Sequence, residues 1–401
     1  MELKTDVVIV GAGIAGCAAA LFYARKNLKV VIVDRKKKDQ YKVNCTHFIQ
    51  PVGVLILKRL NLFEDIKKIG GAKHGLNMHL PSGTINHEEL FGTDSDIYGF
   101  NIQRELLDPY LIKVLEEESN VTFLEQHVLK SITYTNDIAD GIVVSGSNGR
   151  IEITANLVVA ADGAHSKIAK LTKNEAKLNP SNKFTFFTYY KGIDIKTSAH
   201  WVLDDASVYA GALGDGVVLF GLFFNNADYD DWKNCEDMDT KVLQFIAKLK
   251  EIPSLDNAER IDDFIWMLNI DNLYRSPVKN GIAFIGDAAM KTNPVSGTGC
   301  AFALNTAEWL YKHTMEFFDN KKTKEEALSE YSKSHKDRLT PHFEGISTLS
   351  ASEALSASEK DFYDLIITND EISRQYLKLI YRIITPEEFQ KQLLSNLLLS
   401  S

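Results

Sequence analysis

The sequence predicts an α/β chain, α+β overall, with a parallel sheet assembled from separated segments, an antiparallel sheet domain and a helical C-terminal region. Three observations predict it. Apolar strands run into glycine turns near positions 10, 160 and 285; β-branched and aromatic runs fill positions 183–271; and helix-period, polar sequence follows position 335. The 401 residues leave room for two or three domains, and 45% hydrophobic with 25% charged residues is ordinary globular composition. A formal charge of −9 argues against gripping a nucleic-acid backbone. No apolar run approaches the roughly 20 residues that span a bilayer, so no transmembrane segment is expected. The charged start, Met1 to Asp6, carries no cleavage-site pattern, and a cytoplasmic location is expected. Cys17, Cys45, Cys235 and Cys300 form no C-x-x-C pair, so neither a metal site nor a disulfide framework is expected. The N-x-T triplets at Asn44 and Asn120 read as chance matches.

The elements follow in order. Asp6-Val7-Val8-Ile9-Val10 reads as a strand buried on both faces. It meets Gly11-Ala12-Gly13-Ile14-Ala15-Gly16, a full G-x-G-x-x-G, and an alanine-rich helix begins there. Gly11 permits the tight turn, Gly13 lets a pyrophosphate approach the backbone, and Gly16 allows close helix–strand packing. The free amides and positive end of the helix supply an anion site. A second strand, Lys29 to Val33, ends at Asp34, which lies 18 residues after Gly16. That is near the roughly 20 expected of an acid that accepts ribose hydroxyls. The pattern is an adenine-dinucleotide site, for NAD or FAD; Asp34 would repel a 2′-phosphate.

Two later junctions repeat the shape. Leu157 to Ala161 runs into Asp162-Gly163-Ala164-His165-Ser166. Ala283-Phe284-Ile285 runs into Gly286-Asp287-Ala288-Ala289, and Pro294-Val295-Ser296-Gly297-Thr298-Gly299-Cys300 then opens a helix. An aspartate at a strand end suits a polyol chain, and a Pro-x-x-Gly-x-Gly helix entrance exposes amides that hold developing negative charge.

Taken together, these segments resemble the FAD-binding signature of the p-hydroxybenzoate-hydroxylase-type flavoprotein monooxygenases, whose wider superfamily includes geranylgeranyl reductases and flavin-dependent halogenases. The resemblance covers roughly residues 1–310. It implies a Rossmann-like FAD-binding domain from 1–75, 100–178 and 277–335, a substrate-binding sheet domain from 76–99 and 179–276, and a helical region over 336–401. It also implies that Gly11 to Gly16 hold the FAD pyrophosphate, Asp34 and Arg35 the adenosine ribose region, Val128 the adenine by its backbone, and Arg104 the phosphate-ribityl region. Asp162 and Asp287 would bind cofactor, the latter at the ribityl hydroxyls. Pro294, Gly297, Thr298, Gly299 and Cys300 would face the isoalloxazine. Three positions depart from the family pattern: Met290 stands where histidine is common, Ala301 where asparagine is common, and Ala169 where the Asp-Gly motif usually ends in arginine. The last leaves NAD(P)H docking without its usual residue.

Between the flavin segments, Phe184 to Gly192, Trp201 to Leu203, Ser207 to Ala210 and Gly216 to Phe224 read as a meander of antiparallel strands. Tyr190, Trp201, Tyr209 and Phe220 are candidate walls of an apolar substrate pocket, with Tyr189 and Phe224 in the same set of strand aromatics. The segment Val43 to Pro51 places Cys45, Thr46, His47 and Gln50 between apolar flanks. His47 is a candidate proton-transfer group or flavin neighbour, because imidazole titrates near working pH. Cys45 is similar to the cysteine in this region of geranylgeranyl reductases, without that pattern's flanking glycines.

Thr323-Lys324-Glu325-Glu326 is a capping box and Thr385-Pro386 another helix start, followed by a leucine-rich amphipathic end, Phe389 to Leu399. The resemblance implies an FAD-dependent monooxygenase using NAD(P)H and O2, acting through a flavin C4a-hydroperoxide on an apolar, aromatic or polyketide-like small molecule. The alternative is a flavin-dependent reductase of an alkene, like the geranylgeranyl reductases. Substrate and oligomeric state are not legible.

Overall fold

In the computed structural model the residues described are 1–147 and 149–400, the last four by backbone alone. The first apolar run becomes the strand Glu2–Val10, buried through its second half. On one side it pairs in parallel with Val30–Val33, which pairs in parallel with Val121–Leu124. On its other side lies Gly149–Ala160, again parallel, and then Ile282–Phe284. Residues nearly 280 positions apart thus meet in one sheet, with all three glycine junctions at the same C-terminal edge. Parallel strands need crossovers, and their side chains are covered on both faces. The helices Ile14–Ala24, Arg104–Glu117 and Gly299–Phe318 share one apolar cluster with the strands. Val128–Thr135 and Ile138–Gly146 form a hairpin that continues antiparallel from Gly149–Ala160 and covers the other face.

The second sheet differs in detail from a simple meander. Ser198–Val202, Ser207–Gly214 and Val217–Asn225 do follow one another as antiparallel neighbours. The earlier strand Lys183–Lys191 pairs instead with Val217–Asn225, on the far side. Leu76–Leu80 joins Ser198–Val202 in parallel. Two consecutive hairpins favour the local pairing, while an apolar strand buried on both faces can only be satisfied inside the sheet.

Side chains alternate across this sheet with the period of two that a strand imposes. Phe184, Phe186, Tyr190, Trp201 and Phe220 point to a core shared with the helix Met238–Ile246. Phe187, Tyr189 and Tyr209 point the other way, where the C-terminal helices Ala357–Ile367 and Asp370–Ile380 close over them. Those helices start on strong caps: Ser356 and Glu359 form a second capping box, beside the expected one at Thr323 and Glu326. The helix Pro386–Ser400 buries Phe389 in the same cluster; the side chains of its last leucines, including Leu398 and Leu399, lie outside the described residues. Among the described residues no helix is long and apolar enough to cross a membrane.

Candidate active site

The three glycines of the first turn are glycines for different reasons. Gly11 has φ +106°, and a Cβ on it would stand 2.3 Å from the Ala161 carbonyl oxygen. A Cβ on Gly16 would stand 1.9 Å from the Gly11 carbonyl oxygen. The chain's own packing forbids side chains at both. Gly13 is different: its φ is −78°, and no protein atom lies within 4 Å of where its Cβ would be. No side chain caps the helix Ile14–Ala24, so the amides of its first turn are left for an outside acceptor. An open space at a helix start, kept clear by a glycine that the fold itself does not need, fits a pyrophosphate.

Asp34 stands beside this turn. Its Oδ2 accepts from the Ala12 N–H at 2.7 Å and its Oδ1 from the Lys36 N–H at 2.8 Å. The carboxylate therefore braces the glycine turn, with one lone pair left on each oxygen. Arg35 is exposed. Val128 opens its strand next to this loop: the His127 N–H donates to the Asp34 carbonyl at 2.9 Å and the Gln126 N–H to that of Lys36 at 3.1 Å.

The other junctions converge on the same crevice. Asp162 Oδ2 accepts from the Lys167 and Ile168 amides at 2.7 and 3.2 Å, capping a short helix, while its Oδ1 is buried without a partner. Burial pushes its carboxyl up. Gly286 has φ +56°, and a Cβ there would come within 2.9 Å of Ala15 Cβ. Asp287, the next residue, is thus held at the start of the glycine-turn helix, with Lys42 Nζ 3.4 Å from its Oδ2. Past it, Pro294–Ser296 forms one 3₁₀ turn and Gly297 is left-handed at φ +58°. Thr298 is buried, sharing hydroxyl hydrogen bonds with Thr292 (2.8 Å) and Ser296 (3.0 Å). Gly299 then begins the long helix with no protein atom within 4 Å of its Cβ position.

Between the junctions lies a buried cluster of reactive groups. Arg104 is buried and pairs in a fork with Asp108, Nε to Oδ1 at 2.6 Å and Nη2 to Oδ2 at 2.9 Å. Burial opposes its charge, but Asp108 and the nearby cysteines outweigh burial and hold the guanidinium above its ordinary range. Its Nη1 lies 3.9 Å from Cys45 Sγ. Cys45 and Cys300 are within hydrogen-bonding reach of each other. The Cys300 S–H bond to Cys45, helped by Arg104, His47 and Lys42, holds the Cys45 thiol well below its usual value, and Cys300 is pushed up in return.

His47 sits beside them in a left-handed backbone conformation, φ +59°. Its Nδ1 accepts the Arg104 backbone N–H at 3.1 Å, and its Nε2 lies 2.8 Å from the Tyr189 hydroxyl. An acceptor Nδ1 leaves the proton of a neutral ring on Nε2, which then donates to the Tyr189 oxygen. Burial keeps the ring neutral, and it also raises Tyr189.

A cavity opens from this end of the molecule. Thr46, Phe48, Gln50 and Gly297 form its inner end, and the sheet supplies Met78, His200, Val202 and Tyr209. The C-terminal helices supply Tyr363, Tyr376 and Ile380, and the loop before them supplies Leu355. Of the four aromatics expected to line it, Tyr209 does so. Tyr190, Trp201 and Phe220 are corrected: they lie on the opposite face, in the core against the helix Met238–Ile246. Tyr190 donates to Asp239 at 2.7 Å, and Trp201 donates to the Lys250 carbonyl at 2.8 Å. The reason is strand parity, since neighbours such as His200 and Trp201 must face opposite ways. The pairing of Tyr189 with His47, the Cys45–Cys300 contact and the helical roof had no local signature in the sequence.

Residues 4–202 match the FAD binding domain family. The chain is 23% identical to digeranylgeranylglycerophospholipid reductase 1 of Methanococcoides burtonii over 99% of this chain and 95% of that one. It is 26% identical to the enzyme of the same name from Methanosphaera stadtmanae over 74% of this chain and 72% of that one. Among solved structures it resembles p-nitrophenol 4-monooxygenase PnpA of Pseudomonas putida, with a TM-score of 0.77, 17% identity, and coverage of 96% of this chain and 100% of that one. The cleared space at Gly13, the convergence of Asp287 on that crevice and these likenesses agree: the chain is an FAD-dependent oxidoreductase, similar to flavoprotein monooxygenases and to digeranylgeranylglycerophospholipid reductases.

Proposed function

We propose that this oxidoreductase reduces carbon–carbon double bonds in an elongated apolar molecule, with NAD(P)H as electron donor. The observation that carries the reading is the cavity's shape and lining. It begins at Thr46, Gln50 and Gly297 and continues between the sheet and two amphipathic helices, which suits a chain more than a single small ring. The reductase of Methanococcoides burtonii, which aligns over 99% of this chain, supports the same substrate class.

The residues divide the work. The amides at Gly13 and the start of its helix would hold the pyrophosphate, with Asp34 and Val128 at the adenosine end. Arg104 and Asp287 would hold the ribityl stretch, and Gly297, Thr298, Gly299 and Cys300 would face the ring. FAD held by these residues would, once reduced, supply the hydride for one alkene carbon. The proton for the other carbon would come from the Tyr189 hydroxyl, because His47 Nε2–H already satisfies the Tyr189 oxygen and leaves its hydrogen free to donate. The helices Ala357–Ile367 and Asp370–Ile380 would exclude water from that exchange.

A second reading, hydroxylation with O2, is favoured by the aromatic pair Phe48 and Tyr209, 5.9 Å apart at the cavity. It would use the same flavin site on a flat substrate. Turnover in the absence of oxygen separates the two. Enzyme reduced with NADH or NADPH under argon and mixed with a twenty-carbon polyprenyl alcohol should reoxidise and yield product with two added hydrogens per bond. Reoxidation only on admitting air, with oxygen in the product, would overturn the reductase reading.

A further inference from the structure

The cavity and a second cleft share one side chain. The cleft lies between Trp309 of the helix Gly299–Phe318, Lys336 to His342 of the helix Lys324–Ala351, and the turn that leads to Thr385. Arg382 lines both. Among the described residues it has no ion pair, and its Nε is buried without a hydrogen-bond partner. Nη1 reaches only the Leu379 carbonyl at 3.4 Å and His342 Nδ1 at 3.3 Å. Burial pushes its pKa down to about 10. The contrast with the buried Arg104 and the more exposed Arg59 is sharp. Arg104 has its fork filled by Asp108, and Arg59 reaches the buried Glu308 through both Nε and Nη2.

A half-satisfied, enclosed guanidinium is unfavourable unless something completes it. None of the carboxylates lining the two spaces, Glu387 among them, forms an ion pair with it. Glu388 accepts the Thr385 N–H at 2.7 Å, Asp337 pairs with Lys333, and across the cavity Glu359 is taken up in its capping box with Ser356. The backbone at Arg382 is left-handed, φ +61°, just after the helix Asp370–Ile380, where glycine or asparagine is the usual residue. A bulky cation therefore occupies a position that the turn alone would not select.

We propose that Arg382 binds the anionic head group, phosphate or carboxylate, of the molecule whose apolar chain fills the cavity. This rests on the cavity being the substrate site, and not on which reaction occurs there. The guanidinium would offer Nη2 and the second Nη1 hydrogen to two oxygens of the head group, as such groups do for planar anions. Arg382 is thus a specificity-determining residue for amphiphiles over neutral lipids. A purely structural arginine, satisfying the last carbonyls of the preceding helix, would show no such preference.

The test uses ligands that no flavin reaction can consume. Sixteen-carbon saturated alkyl phosphate, hexadecanoate and hexadecanol are titrated into FAD-loaded enzyme below their micelle concentrations, reading the perturbation of the flavin spectrum. The native enzyme should bind at least one anion about tenfold or more tighter than the alcohol, and the tighter of the two identifies the head group. Arg382→Gln should bring that anion down to the alcohol's affinity and leave the alcohol unchanged; Arg382→Lys should keep part of the preference. Equal losses for anion and alcohol, or no preference in the native enzyme, overturn the proposal. Should the glutamine variant fail to retain FAD, the native preference and its reduction in the lysine variant decide alone. No binding by any of the three overturns the cavity reading and this inference with it, whereas binding without head-group preference overturns this inference only.

Discussion

Alanine at Gly13 and at Gly16 should fail in opposite ways, and the two substitutions separate what the fold needs from what the cofactor needs. At Gly16 the added methyl would sit 1.9 Å from the Gly11 carbonyl oxygen, an overlap only a main-chain shift can relieve. Overpacking of this kind costs about 1–3 kcal/mol and sometimes more, and backbone against backbone puts Gly16→Ala at or above about 3 kcal/mol. At Gly13 the φ of −78° suits alanine and the space around the new methyl holds no protein atom. Loss of glycine's unfolded-state freedom stabilises by about 0.4–1 kcal/mol, and a poorer N-cap residue offsets it by a similar amount. The apo-protein of Gly13→Ala should therefore melt within about 1 kcal/mol of the native chain. Its FAD affinity should nevertheless fall about tenfold or more, because the methyl fills the space facing the helix amides. Thermal melts of the apo-proteins and titration of FAD by flavin fluorescence quenching measure both quantities. Unchanged FAD affinity in Gly13→Ala, or a loss of apo stability as large as that of Gly16→Ala, would refute the argument.

Other predictions follow from the buried cluster and the histidines. Tyr189→Phe should lower the turnover number about a hundredfold while leaving FAD content unchanged, since general acid catalysis contributes about that much; turnover within twofold of native would remove Tyr189 from the proton route. Cys300→Ala should raise the pKa of Cys45, because the S–H donor that holds the thiol low is removed. The pH profile of iodoacetamide alkylation at Cys45 would move upward, and an unmoved profile would deny the contact. Asp108→Asn would leave the buried Arg104 charge unpaired and destabilise the fold by about 3–5 kcal/mol, read by denaturant unfolding. Burial depresses His74 and His200 to about 4 and His335 to about 3. The unfolded chain then binds more protons than the folded one below the ordinary histidine value of about 6.5. Stability is full above that value and is lost as pH falls toward 4, so a melting temperature flat from pH 6.5 to 4.5 would contradict the burial.

The parts of the site legible in the sequence are those where one local segment carries its own chemistry. Gly11 to Gly16 and the strand-ending acids Asp34, Asp162 and Asp287 are such segments, since a strand, a turn and a helix start are all decided within about ten residues. Pairings between distant segments left no such trace. Cys45 and Cys300 are 255 residues apart in sequence, and their contact depends on the long helix starting at Gly299 reaching the loop after Val33. Tyr189 and Tyr190 are indistinguishable by residue type, and only the register of Lys183–Lys191 against Val217–Asn225 decides which one meets His47. The aromatic wall was misread for the same reason: alternation says that neighbours face opposite ways, but not which face receives the cavity. That choice is made by the helices Ala357–Ile367 and Asp370–Ile380, whose amphipathic faces read equally well as surface helices until the sheet beneath them is known. Arg382 follows the same logic, a charged residue in a turn whose lack of a partner is visible only in three dimensions.

The central claim, that electrons pass from a bound flavin into a carbon–carbon double bond, is tested most directly by a single reaction under heavy-oxygen-labelled dioxygen. NADPH or NADH and a polyprenyl substrate are supplied together, and the product is weighed by mass spectrometry. The account predicts a product heavier by two hydrogens per reduced bond and free of the oxygen label. A product that carries the label and keeps its double bonds would contradict it.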